Sequence, residues 1–119
     1  MRRCIATWTT ILGLLGATAP VLAADTLRAG SKRFTESYVL AEILVATARP
    51  HAEVAHLPGL GNTAIVFEAL RRGEIDLYPE YTGTGYGFIL CITDDEKDPK
   101  TVYDKTAAEY KTKWNLVWL

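Results

Sequence analysis

Apolar and polar positions change period several times along the 119-residue chain, and each change predicts an element. The first feature is a mostly apolar run over residues 5–22. It is short for a membrane span and is broken by Thr9, Thr10, Gly13, Gly16, Thr18 and Pro20. A brief alternating stretch at 26–30 ends on Gly30 and predicts a strand. Over 35–49, Tyr38, Leu40, Ala41, Ile43, Leu44, Val45 and Ala48 form a broad helical apolar face, which Pro50 terminates. Residues 53–57 fit a second strand, and Pro58-Gly59-Leu60-Gly61-Asn62 a loop. Asn62 or Thr63 can cap a helix carrying Ile65, Val66, Ala69 and Leu70. Gly73, behind the basic pair Arg71-Arg72, suits its left-handed end. Residues 75–78 give a third strand, stopped by Pro79. A Gly/Thr-rich turn at 82–85, an apolar stretch at 86–92 and a charged, Pro99-containing loop at 93–100 follow. A helix from 101 to about 113, with Thr101 and Asp104 in capping-box spacing, leads to an apolar strand at 116–119.

Strands alternating with helices predict a parallel α/β sheet, whose ligand site lies beyond the carboxyl ends of the strands. Trp114, Trp118 and Leu119 have no following element to cover them, so the natural protein is expected to continue past residue 119.

The start of the chain changes where it is expected to work. Met1-Arg2-Arg3, the apolar run and Val21-Leu22-Ala23 follow the order of a secretory signal peptide over residues 1–23, cleaved after Ala23 or, second, after Ala24. Cys4 precedes the apolar run, on the wrong side for a lipid anchor. The 96 residues of 24–119 can bury one modest core. Of 13 basic residues, Arg2 and Arg3 leave with the signal, so 11 face 14 acidic ones and the net charge is about −3. That balance gives no footprint for nucleic acid or an anionic membrane. Cys91 is then alone, without a disulfide partner, and its flanks Phe88-Ile89-Leu90 and Ile92 predict a packed small hydrophobe.

Two segments fall at the predicted ligand edge: Gly30-Ser31-Lys32 and Tyr78-Pro79-Glu80-Tyr81-Thr82-Gly83-Thr84. They offer a cation (Lys32), hydroxyls (Ser31, Thr82, Thr84) and aromatic faces (Tyr78, Tyr81). A cation with hydroxyls suits a carboxylate, and tyrosine faces suit a quaternary ammonium. One small molecule with both groups is a betaine or a similar zwitterion. Catalysis and metal binding find less support. His51 and His56 lack a Cys or carboxylate cluster to complete a metal site, and no cofactor is implied. Glu74, Asp76 and Glu80 come with no nucleophile, and Asp94-Asp95-Glu96-Lys97-Asp98 lacks the glycine and terminal glutamate of a calcium loop.

Gly30-Ser31-Lys32-Arg33-Phe34-Thr35-Glu36 and Gly73-Glu74-Ile75-Asp76-Leu77-Tyr78-Pro79-Glu80-Tyr81-Thr82-Gly83-Thr84 resemble the signature segments of the osmoprotectant-binding proteins of ABC importers. These are receptors for glycine betaine, choline, carnitine and proline betaine. Gly59-Leu60-Gly61-Asn62-Thr63 and Phe67-Glu68-Ala69-Leu70 fit as well, and the likeness extends over essentially all of 24–119. The resemblance implies a two-lobed, type II periplasmic binding protein that closes on its ligand and works with an ABC permease. It implies Lys32 as a carboxylate contact, Tyr81 as one wall of an aromatic box and Thr84 as a hydroxyl contact, with Ser31 and Tyr78 in the same motifs. Glu80 would orient the loop, and Asn62 and Thr63 would either line the cleft or cap a helix. Residues 24–119 would form a partial N-terminal lobe, with the second lobe, the hinge and most of the box beyond residue 119. Such a chain alone would bind no osmolyte usefully. The absence of a lipobox points to the periplasm. The alternatives are a non-functional remnant, a small exported interaction protein, or a receptor for another small zwitterion.

Overall fold

The computed structural model describes residues 26–119, so the predicted signal peptide lies outside the described residues. In chain order the elements are β1 (Leu27–Lys32), α1 (Thr35–Ala48), β2 (Val54–Gly61), α2 (Thr63–Arg71), a π-helical segment (Thr84–Ile89) and α3 (Pro99–Trp114). β1 and β2 pair in parallel, Leu27 opposite Val54 and Gly30 opposite Leu57. Beyond Gly30 the register slips, so that Lys32 stands opposite Gly61. Pro58 has no N–H to give the ladder, and the extra residues of β2 bulge outward around it.

The third predicted strand is reduced to one parallel bridge, Ala29 to Leu77, on the other edge of β1. Gly30 N–H donates to the Leu77 carbonyl and Asp76 N–H to the Arg28 carbonyl, both at 2.8 Å. A two-point Arg28–Asp76 ion pair fastens the same edge, Nε to Oδ2 at 3.0 Å and Nη2 to Oδ1 at 2.9 Å. It holds the Asp76 carboxyl below the usual carboxylate range.

The helices cover opposite faces of this short sheet. Ser37, Ala41 and Val45 are the buried face of α1. On the other side, Val66 and Ala69 of α2 pack with Ile75, edged by Leu57, Leu60, Leu70 and Tyr78. Gly30 belongs to that second face, where an added Cβ would stand 2.6 Å from Ile75 Cδ1. Asn62 caps α2, its Oδ1 accepting from Ile65 N–H at 3.1 Å, and Gly73 takes the left-handed conformation (φ 68°) as the sequence predicts. α3 is bound to α2 by an aromatic ladder. Phe67 meets Trp114 at 4.8 Å and Tyr110 at 5.6 Å, and Tyr110 meets Trp118 at 5.4 Å, all edge to face.

Four expectations are corrected. Residues 116–119 form no strand: with no sheet edge beside them, Trp118 instead packs on Tyr110 and over Gly85, where an added Cβ would stand 2.7 Å from its ring. α3 begins at Pro99, not at 101, because proline suits a first helical turn whose N–H needs no partner. Its cap is Asp98, whose Oδ2 accepts from both the N–H and the hydroxyl of Thr101 (2.8 and 2.7 Å), so the Thr101–Asp104 capping box does not form. Cys91 is exposed rather than packed, because it sits in the left-handed region (φ 55°) where the chain turns out of the π-helical segment.

Candidate functional site

The end of β1 carries Lys32 into the molecule rather than out of it. Its side chain is 6% exposed and its ammonium donates to Glu80 Oε1 at 2.6 Å, with the Glu80 side chain 5% exposed. A charge so buried must be paired, and Glu80 pairs it. Two aromatic faces flank the same ammonium, Phe34 at 5.4 Å and Tyr81 at 5.7 Å from the ring centroids. Glu80 Oε1 also accepts from Tyr81 N–H at 2.9 Å, so one carboxylate fixes both the lysine and the tyrosine backbone. The Lys32 N–H donates to Ser37 Oγ at 2.8 Å, which ties the strand end to α1.

Tyrosines surround the pair. Tyr81 is exposed, and its hydrogen bond to the Glu36 carboxylate in the first turn of α1 holds its phenol above the usual range. Burial, then the Glu80 charge, push Tyr78 and Tyr110 well above it. All three rings therefore stay neutral, as a cation-facing surface requires. Among the described residues, neither Glu80 Oε2 nor the Tyr110 hydroxyl, both buried, has a partner at full hydrogen-bond geometry.

A cleft of about 520 Å³ opens beside Lys32, at the carboxyl ends of β1 and β2. Lys32, Arg33 and Phe34 line one wall, and Leu60, Gly61, Asn62, Thr63 and Ile65 the other. Asn62 thus does both things open to it, capping α2 and lining the cleft. Thr84 opens the π-helical segment and is half-buried. Glycines at 83, 85 and 87 weaken any regular α-helix there, and the wider π turn closes instead with Leu90 N–H donating to the Gly85 carbonyl at 3.0 Å. Among the described residues no hydrogen bond joins Thr84 to Lys32. Of the residues singled out from sequence, Lys32, Tyr81, Tyr78 and Glu80 come together, whereas the Ser31 side chain engages His56 and Gly59 instead. Arg33, Phe34, Leu60 and Ile65 line the cleft without any sequence feature that assigns them to it, Phe34 excepted. Phe34 carried a signal, two positions after Lys32 and inside the same motif.

Ser31 is fully buried, and its hydroxyl is engaged from two sides. Oγ lies 2.8 Å from His56 Nε2 and accepts from Gly59 N–H at 3.2 Å. His56 Nδ1 lies 2.6 Å from Glu42 Oε1. Glutamate, histidine and serine thus follow the hydrogen-bond order of an acyl-transfer triad. An attacking hydroxyl must reach its substrate, and Ser31 Oγ is sealed between β1 and the β2 bulge. The arrangement can hold a loop in place; it cannot present a nucleophile.

A parallel α/β lobe that gathers a buried cation and neutral aromatic faces beside a cleft at its strand ends has the layout of a small-molecule-binding lobe. Residues 25–119 match the family described as the substrate binding domain of ABC-type glycine betaine transport systems (OpuAC), and the chain belongs to that family. It is 33% identical over 115 residues to the glycine betaine-binding protein YehZ of Escherichia coli K12, covering 94% of this chain and 38% of that protein. It is 33% identical over 94 residues to the ergothioneine transport permease/ergothioneine binding protein EgtU of Helicobacter pylori G27, covering 75% of this chain and 16% of that protein. Among solved structures, apo YehZ from E. coli superposes with a TM-score of 0.70 at 32% identity, over 81% of this chain and 35% of that one. A glycine betaine/carnitine/choline ABC transporter superposes with a TM-score of 0.68 at 19% identity, over 82% and 37%, which shows the shared fold. The chain therefore spans well under half the length of these relatives.

Proposed function

We propose that this chain supplies one wall of the binding site of an exported receptor for quaternary-ammonium zwitterions such as glycine betaine, serving an ABC permease. One observation carries the reading. The site already holds an ammonium and a carboxylate, Lys32 and Glu80, against the Phe34 and Tyr81 rings. A betaine is an ammonium and a carboxylate in one molecule. Its carboxylate would approach Lys32 where that residue lines the cleft and compete with Glu80 for the ammonium, and its N-methyl groups would meet the aromatic faces. Tyr81 and Thr84 complete the contacts, Tyr78 supports them beside Glu80, and Ser31 acts indirectly by holding the Gly59 turn. Family membership and the names of the curated relatives favour this ligand class. A receptor of this kind binds and releases without catalysis, and in the periplasm it would be reached through the signal peptide.

The affinity expected of these residues alone is small. Two ring faces at about 0.5–2 kcal/mol each and one charge contact give a few kcal/mol, hence a Kd of about 1 mM or weaker. Amide NMR titration of the chain with glycine betaine, choline and acetate tests the reading. Glycine betaine is expected to shift the amides of Lys32, Phe34, Asn62 and Tyr81 and to do so more than either half-ligand. Equal response to choline would remove the carboxylate contact, and shifts confined to other surfaces would remove the site. Cell fractionation and N-terminal sequencing test export, with a mature start at Ala24 expected.

A further inference from the structure

We infer that His56 is a pH-responsive positioning residue for the cleft wall, acting through Ser31 on the Gly59–Gly61 turn of β2. The starting point is the bulge. Because the register slips between Gly30 and Lys32, the Gly59 N–H has a serine hydroxyl as its partner in place of a strand carbonyl. Gly59 itself is left-handed (φ 65°), and an added Cβ would stand 2.8 Å from the Tyr38 hydroxyl, so nothing else at this position can fill the gap. Leu60 and Gly61, the next residues, are cleft wall.

Hydrogen counting then fixes the proton on His56. A serine hydroxyl has one donor and two acceptor sites. Gly59 N–H occupies an acceptor site of Ser31, and because Ser31 is fully buried its own O–H must find an acceptor inside the protein. His56 Nε2, at 2.8 Å, is that acceptor, which requires it to be unprotonated. The ring proton therefore sits on Nδ1 and is donated to Glu42. Gly59, Ser31, His56 and Glu42 form one directed chain, from the cleft wall through β1 and β2 to the surface of α1.

Protonation reverses one link of it. Nε2 becomes a donor, Ser31 Oγ must accept from both His56 and Gly59, and the Ser31 O–H is left without an acceptor in a site closed to water. Ser31 can regain a partner only by turning away from Gly59 or by moving the turn. Glu42 accepts from Nδ1–H in either protonation state, and its side chain is 59% exposed. Other titratable or charged groups on the surrounding elements include Tyr38 on α1, over Gly59, Arg33, whose Nε donates to the Gly59 carbonyl at 3.4 Å, and Lys32 next to Ser31 on β1, held by Glu80. Histidine is the side chain that exchanges its proton in the range an external compartment spans. The consequence for ligand binding rests on the receptor reading; the relay itself does not.

The test therefore uses no ligand. The chain has two histidines, and His51 is exposed and serves as the internal control. Long-range proton–nitrogen NMR of the full chain, from pH 8 down to 5, reads the tautomer of each ring. The expected result is His56 with its proton on Nδ1 at pH 8, and amide shifts of Gly59, Leu60 and Gly61 that follow the His56 titration and not that of His51. H56Q should flatten those shifts. S31A should leave His56 titrating but uncouple Gly59 from it. An Nε2-protonated His56 at pH 8, or amides at 59–61 that stay constant while His56 titrates, overturns the inference. Should H56Q fail to fold, the tautomer and S31A decide it.

Discussion

Removing either partner of the Lys32–Glu80 pair should cost stability, and by unequal amounts. Lys32→Met leaves the Glu80 carboxylate buried without a cation, held only by Tyr81 N–H and the nearby Tyr78 hydroxyl. Orphaning a buried charge in this way costs about 3–5 kcal/mol. Glu80→Gln orphans the ammonium instead, but Phe34 and Tyr81 remain beside it at 5.4 and 5.7 Å. At about 0.5–2 kcal/mol per ring they offset part of the loss, and the replacement amide oxygen still accepts from Tyr81, so about 2–3 kcal/mol is expected. The double variant buries no charge and should cost at least about 2 kcal/mol less than the sum of the singles. Urea unfolding followed by tryptophan fluorescence gives all four stabilities, with sucrose in every sample to keep the weakest variant folded. Equal single costs that add within about 0.5 kcal/mol would refute both the coupling and the aromatic contribution.

Three further outcomes follow from single contacts. Tyr110→Phe removes a buried hydroxyl that has no hydrogen-bond partner among the described residues, so it should change stability by under about 0.5 kcal/mol or raise it slightly, read from the same urea midpoints. Asn62→Ala removes the α2 cap and should cost about 1 kcal/mol; because Asn62 also lines the cleft, amide exchange should rise first in the opening turn of α2. Asp76→Asn tests the edge of the sheet. The Asp76 carboxyl is held low by Arg28, so its contribution is present above about pH 4 and is lost as pH falls through its folded value. With both side chains more than a third exposed or close to it (39% and 34%), the difference between the unaltered chain and D76N should be roughly 0.5–1 kcal/mol at pH 7 and vanish in acid. A difference that persists at pH 2 would mean that the asparagine disturbs more than charge.

The fold was readable where local chemistry and tertiary packing agree. Proline at 50, the Asn62 cap and Gly73 each act within one turn of chain, so α1 and α2 stand where the periodicity put them. The apolar residues 116–119 misled because an apolar run specifies burial and not the partner. Their partner is Tyr110 of the preceding helix, which is itself packed on Phe67 of α2, so the chain folds back on a helix where a strand was expected. Pro99 fits a loop or a helix start equally well from sequence, because proline both breaks helices and starts them, and the Asp98 cap distinguishes the two. At the site, the motifs brought Lys32, Glu80 and Tyr81 into view, but not their arrangement. Nothing in Gly30-Ser31-Lys32 says that the ammonium turns inward to a carboxylate 48 positions away. The His56 relay was invisible for the same reason, since Glu42, His56 and Ser31 meet only when the β2 bulge is formed.

The central claim is that Lys32, Phe34 and Tyr81 form a surface for a quaternary-ammonium zwitterion. Saturation-transfer NMR with glycine betaine tests it most directly, because it registers complexes as weak as millimolar. Irradiating the aromatic protons of the chain should saturate the N-methyl protons of the ligand, and Tyr81→Ala should abolish most of that signal while the fold persists. No transfer to the N-methyl groups, or transfer that Tyr81→Ala leaves intact, would contradict the account.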